Sequence, residues 1–154
     1  MADMDKARVI AAARAQLTAT RERQAAQLAE LDAAQAEETK SSAGDKSETT
    51  RERLAQERAQ LEAQLVAAGE QLTALAVAER APEGERVGLG SYVLAEPLGY
   101  VFIATGLGRV RVPGVEGPVA VVSAESPLGQ ALVGRRIGEE VVFRGRRLVV
   151  GAVG

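Results

Sequence analysis

The chain reads as an α+β protein: an antiparallel α-helical coiled-coil hairpin over residues 1–81, a linker at 82–86, and a small antiparallel β-sheet domain with one short helix over residues 87–154. Three observations predict this. Helix formers with leucines at three- and four-residue steps fill residues 5–80 apart from one break. The texture changes abruptly at Ala81-Pro82-Glu83-Gly84, and short Val-rich runs punctuated by Gly and Pro follow it. With two Tyr, two Phe and no Trp in 154 residues, the aromatic supply is small for a single large core, which also favours two unlike parts.

The first helix is expected from Asp5 to about Glu38, a stretch with neither Gly nor Pro, in which Ile10, Ala13, Leu17, Leu28 and Leu31 recur at helical spacing. Its middle is polar where the seam should run, at Thr20, Arg21 and Gln24. The second helix, Thr50 to Arg80, carries Leu54, Arg58, Leu61, Leu65, Ala68, Leu72 and Leu75 in alternating steps of four and three, the spacing that turns one stripe toward a partner helix. The two stripes are almost symmetric about residues 42–43. They pair Leu31 with Leu54, Leu17 with Ala68 and Ile10 with Leu75, as a hairpin folded at Ser41-Ser42-Ala43-Gly44 requires. That symmetry predicts an intramolecular pair and a monomer, with a long homodimeric coiled coil as the alternative. Each arm of about 30 residues, at about 1.5 Å per residue, makes a rod about 45–50 Å long.

In the second part, runs at 91–95, 100–104, 109–112, 119–122, 140–143 and 147–153 read as strands, the last two joined across Arg144-Gly145-Arg146 as a hairpin. The stretch SPLGQALVG reads as a helix, with Ser126 as N-cap, Pro127 at the first helical position and Gly134 after the end.

Charge and composition exclude several functions. Residues 1–86 hold 12 Lys/Arg against 16 Asp/Glu and residues 87–154 hold 7 against 5, so neither part has the dense basic stripe of a stand-alone nucleic-acid binder. Nucleic acid would have to be reached through a partner. The absence of Cys and His removes disulfides, thiolate zinc sites and the usual transition-metal ligands, leaving oxygen-donor chemistry. The N-terminus is charged from its third residue and no window approaches about 20 apolar residues, so a soluble, cytoplasmic protein is expected.

The break between the helices, residues 39–50, holds two acids three residues apart, Asp45 and Glu48. On the first turn of a helix such a pair shares one face and could converge on one hard cation, which takes one or two protein carboxylates and keeps several waters. The same spacing is a capping-box arrangement, in which an Asp at the N-cap and a Glu three residues on satisfy free N–H groups. Spacing alone leaves both open. Arg135 and Arg136 offer a positive patch to an acidic partner, or a solvated face near a helix C-terminus.

Three segments resemble the Gre family of bacterial transcript-cleavage factors. Residues 122–141, VSAESPLGQALVGRRIGEEV, are similar to the family's Ser-Pro-Leu-Gly signature with its following Ala-Leu, Gly and basic residues. VGLGSYV at 87–93 is a second match, and Gly44-Asp45-Lys46-Ser47-Glu48-Thr49 is similar to the family's tip stretch. The resemblance implies an FKBP-like C-terminal domain and a hairpin that enters the secondary channel of RNA polymerase. It implies that Asp45 and Glu48 help hold the second active-site Mg2+, with Lys46, Arg135 and Arg136 as partner contacts and no metal held by the chain alone. Here Lys46 stands where the family usually has an apolar residue, Thr49 replaces its Asn, and Arg51 falls where another acid is common. The tip therefore also fits a Gre-like regulator that occupies the channel without promoting cleavage. A peptidyl-prolyl isomerase is a third reading, for which Tyr92, Tyr100, Phe102 and Phe143 are the whole aromatic supply, and no aromatic-lined pocket is expected.

Overall fold

The computed structural model describes residues 4–40 and 48–154, and for residues 38–40 and 48 the backbone alone. The elements follow in the order α1 (Lys6–Lys40), α2 (Glu48–Arg80), β1 (Tyr92–Glu96), β2 (Gly99–Ile103), β3 (Gly108–Val110), β4 (Val119–Val122), α3 (Pro127–Leu132), β5 (Glu140–Phe143) and β6 (Arg146–Val153). The fold class is the expected one, two long helices followed by a sheet with one short helix. The chain forms two compact units: residues 17–70, whose described residues are all helical, and residues 1–16 together with 71–154.

In the helical unit the seam falls on Leu17, Thr20, Gln24, Leu28, Leu31 and Gln35 of α1, and on Thr50, Leu54, Arg58, Leu61, Leu65 and Ala68 of α2. These are the predicted stripes, including the polar Thr20 and Gln24; Arg21 points to solvent. Among the described residues only Leu17 and Ala68 are fully buried there, so this seam is narrow and half-wet. The helices run antiparallel: Gln24 donates to Gln64 (3.2 Å), and Arg58 pairs with Asp32 and reaches Gln35 (3.4 Å). Those pairs are centred on residues 44, 45 and 46–47, not on 42–43. The expected pairing of Leu31 with Leu54 is thus corrected, since Leu31 lines a groove with Leu61 instead. The reason is that leucines repeating every seven residues match in registers one heptad apart, and contacts between distant polar residues choose among them.

In the other unit, Asp5 caps α1 by accepting from the N–H groups of Ala7 (2.6 Å) and Arg8 (3.3 Å). The sheet has the order β3-β4-β2-β1-β6-β5. Its pairings are antiparallel, as expected, except β2 with β4, which is parallel and reached through β3 and the loop after it. Alternation along the strands sends Val93, Ala95, Val101, Ile103, Val141, Leu148 and Val150 to one face, where Leu128 and Leu132 of α3 complete the core. Residues of the opposite parity, Phe102, Val119 and Val121, are equally buried, as are Val9, Ile10, Ala13, Leu75 and Ala78 of the helix ends in this unit. Full burial of each large side chain contributes about 1.5–3 kcal/mol. Lys6 donates to the carbonyl of Ala81 (2.8 Å) and Gln71 to that of Gly106 (2.9 Å), tying the helix ends to the rest of the unit.

The β5–β6 hairpin closes in two residues, with Phe143 paired to Arg146. Arg144 and Gly145 have φ of 50° and 78°, the left-handed pair that matches the twist of the flanking strands.

Candidate functional site

The predicted site residues fall in two places. Asp45 and Lys46 lie outside the described residues. Glu48 is the first residue of α2, and its side chain also lies outside the description. What the structure does fix is the frame around them. α1 ends at Lys40 and α2 begins at Glu48, the two run antiparallel, and Asp45 lies in the sequence between them. In the first turns of α2, Thr49, Arg51 and Glu52 are exposed, and Arg53 lies 3.9 Å from Glu57. Among the described residues, no cluster of three Asp, Glu, His or Cys could hold a metal ion.

Arg135 and Arg136 follow α3, which is built as its sequence predicts. Ser126 accepts from the Gly129 N–H (3.0 Å) and donates to the Ser123 carbonyl (2.7 Å), Pro127 occupies the first position, and Gly134 has φ of 88°. Gly129 cannot be larger, because a Cβ there would overlap the Ser123 carbonyl. Beyond the helix, Val87 donates to the Arg135 carbonyl (2.9 Å) and accepts from Gly134 (2.7 Å), clasping the two matched segments together. Gly90 is similarly forced: its φ is 82°, and a Cβ would overlap the Ala78 carbonyl. The segments that carry the family resemblance therefore serve the fold first.

The two arginines differ. Arg135 spends its guanidinium locally, on the Ala131 carbonyl (3.3 Å) and the Glu139 carboxylate (3.5 Å). Arg136 gives Glu139 only its backbone N–H (3.3 Å) and is exposed. Of the pair, Arg136 has the charge to offer an acidic surface.

Sequence reasoning missed a cleft of about 520 Å³ on the sheet unit. Leu98, Tyr100, Val122, Pro127, Leu128 and Phe143 line it, with Arg109, Arg144 and Glu116 also at its walls. Arg144 lies over the Phe143 ring, 5.1 Å from its centroid, and Tyr100 meets Tyr92 edge to face at 6.1 Å. The expectation of no aromatic-lined pocket is corrected to this extent: Tyr100 and Phe143 border the cleft, whereas Phe102 is wholly buried. The lining residues span positions 98 to 144, and no local sequence pattern marks them. No helix among the described residues is long and apolar enough to cross a membrane.

No family model matches the chain, and no curated protein matches it. Among solved structures the chain is similar to one described as the transcription factor Gfh1, with 27% identity over 92% of this chain and 93% of that one, at a TM-score of 0.37. It is similar to the GreA factor homolog 1 (Gfh1) protein of Thermus thermophilus, with 25% identity, coverage of 93% and 95%, and a TM-score of 0.38. It is also similar to Thermus aquaticus Gfh1, with 26% identity, coverage of 92% and 94%, and a TM-score of 0.35.

Proposed function

We propose that this chain is an accessory factor of RNA polymerase, acting as a monomer in the cytoplasm, whose helical hairpin enters the secondary channel and stimulates cleavage of backtracked RNA. The observation that carries the reading is the antiparallel pairing of α1 and α2, between whose described ends, Lys40 and Glu48, the sequence holds Asp45, three residues before Glu48. The Ser-Pro-Leu-Gly and VGLGSYV resemblances support it from the other part of the chain.

The chain is not itself the enzyme in this reading. Two carboxylates are the hard oxygen donors that Mg2+ accepts, and a chain without Cys or His offers nothing softer to compete. An ion held mainly by the polymerase supplies an activated water and offsets charge on the phosphate. The factor's own task is to bring Asp45 and Glu48 into the channel and exclude bulk water there. Lys46 lies between them in sequence and suits a phosphate or an acidic polymerase side chain. Arg136 serves as an outer contact, since Arg135 is engaged by Glu139. Contact with RNA or DNA arises only inside the polymerase complex.

A second reading, a regulator that fills the channel without promoting cleavage, is favoured by Lys40, Lys46 and Arg51, which reduce the negative charge around the two acids. Transcript cleavage by stalled polymerase separates the two readings. Shortened RNA that depends on Asp45 and Glu48 supports the first, and inhibited nucleotide addition with no shortened RNA at any Mg2+ concentration supports the second.

A further inference from the structure

Arg58 occupies a position of the α2 stripe where every neighbouring seam residue from Leu54 to Ala68 is apolar. A guanidinium there forfeits apolar packing, so its retention calls for a compensating role. Its contacts supply one. It reaches across to Asp32 and Gln35 of α1 and lies 3.1 Å from Glu62 on its own helix. With Gln24 on Gln64, these are cross-helix contacts that belong to one register.

The leucines alone do not fix that register. Moving α2 by one heptad restores the pairing of Leu31 with Leu54 and keeps both stripes facing each other. In that arrangement Arg58 faces Ala25 and Leu28 instead of Asp32 and Gln35, and α1 has no acid between Arg23 and Asp32 other than Glu30. We propose that Arg58 is a register lock. It joins Asp32 and Gln35 in the observed alignment and, by standing against Leu28 and Ala25, excludes the alignment one heptad away. The sequence midpoint of the hairpin is thereby held near residues 45–46 and not near 42–43. The inference rests on the helical unit alone and holds whatever the hairpin's partner.

The chain contains no cysteine, so introduced pairs report the register without background. Gln27, Glu57 and Gln64 all border one groove, but positions 27 and 64 are centred on 45–46 like the observed cross-helix contacts, whereas 27 and 57 are centred on 42 and come level only after the heptad shift; a disulfide needs Cα atoms within about 7 Å and seven helical residues span about 10 Å. Full-length Gln27→Cys/Gln64→Cys and Gln27→Cys/Glu57→Cys proteins would be oxidised under mild conditions with Arg58 intact, with Arg58→Leu, and with the charge swap Asp32→Arg/Arg58→Asp. With Arg58 intact the 27–64 link dominates. Arg58→Leu raises the ratio of 27–57 to 27–64 links by about fivefold or more, the worth of a half-exposed ion pair together with the leucine match that replaces it. The charge swap returns the ratio to the parental value. An unchanged ratio in Arg58→Leu, or a swap that behaves like Arg58→Leu, overturns the proposal. If Arg58→Leu fails to fold, Arg58→Gln gives the same readout, because it removes the charge while keeping a polar seam residue.

Discussion

Ser126→Ala isolates the turn on which the most strongly patterned segment of the chain depends. The hydroxyl accepts from Gly129 N–H (3.0 Å) and donates to the Ser123 carbonyl (2.7 Å). The Ser123 carbonyl keeps a second donor, the Ser126 N–H at 3.2 Å, so losing the hydroxyl costs little on that side. Gly129 is buried, and as the third residue of α3 its N–H has no acceptor within the helix. Leaving such a group unpaired costs about 1–3 kcal/mol, in line with about 0.5–2 kcal/mol for removing an N-cap, so a loss of about 2 kcal/mol is expected. For a unit of this size that lowers Tm by about 10 °C. Tyr92 and Tyr100 are the chain's two tyrosines and both lie in the sheet unit, so tyrosine fluorescence follows that unit's melting without the helical hairpin. Ser126→Asp keeps the acceptor and loses only the donor, so it should recover most of the Tm. A Ser126→Ala protein melting within about 2 °C of the parent, or an aspartate variant as unstable as the alanine one, would refute the assignment of the loss to the Gly129 N–H.

Other outcomes follow from the same geometry. Gly90→Ala and Gly129→Ala each place a Cβ on a backbone carbonyl, so both should destabilise the sheet unit by more than about 3 kcal/mol in urea unfolding, well beyond the ordinary cost of a glycine substitution. Leu148→Ala, at a site 1% exposed, should cost about 2–5 kcal/mol in the same measurement. Asp45→Asn and Glu48→Gln should each abolish transcript cleavage while leaving polymerase binding intact, with binding measured in parallel by fluorescence anisotropy. Arg136→Ala should weaken that binding and reduce its salt dependence. Arg135→Ala should act mainly on stability, by less than about 1 kcal/mol, since its partners are Ala131 and Glu139 and its ion pair is half exposed.

Much of this was legible from local pattern. The α2 stripe from Leu54 to Ala68 is the buried stripe, and the polar interruption at Thr20 and Gln24 sits in the seam as read. The Ser126-Pro127 start and the Gly134 stop of α3 are where capping chemistry puts them. The β5–β6 turn is tighter than read by one residue, because Arg144 takes a positive φ that residue type alone does not announce. Asp45 and Glu48 were legible as a pair of acids in a helix break.

The sequence by itself determined the two helices, their apolar faces, the strand positions and the capped α3, since each depends on residues within a few positions of one another. Only the tertiary structure decided the heptad in which α1 meets α2, the parallel pairing of β2 with β4, and the cleft shared by Tyr100 and Phe143. Each of those is an agreement between residues about 20 to 45 apart in the chain, where periodicity permits several matches and the closing of particular polar and packing contacts selects one.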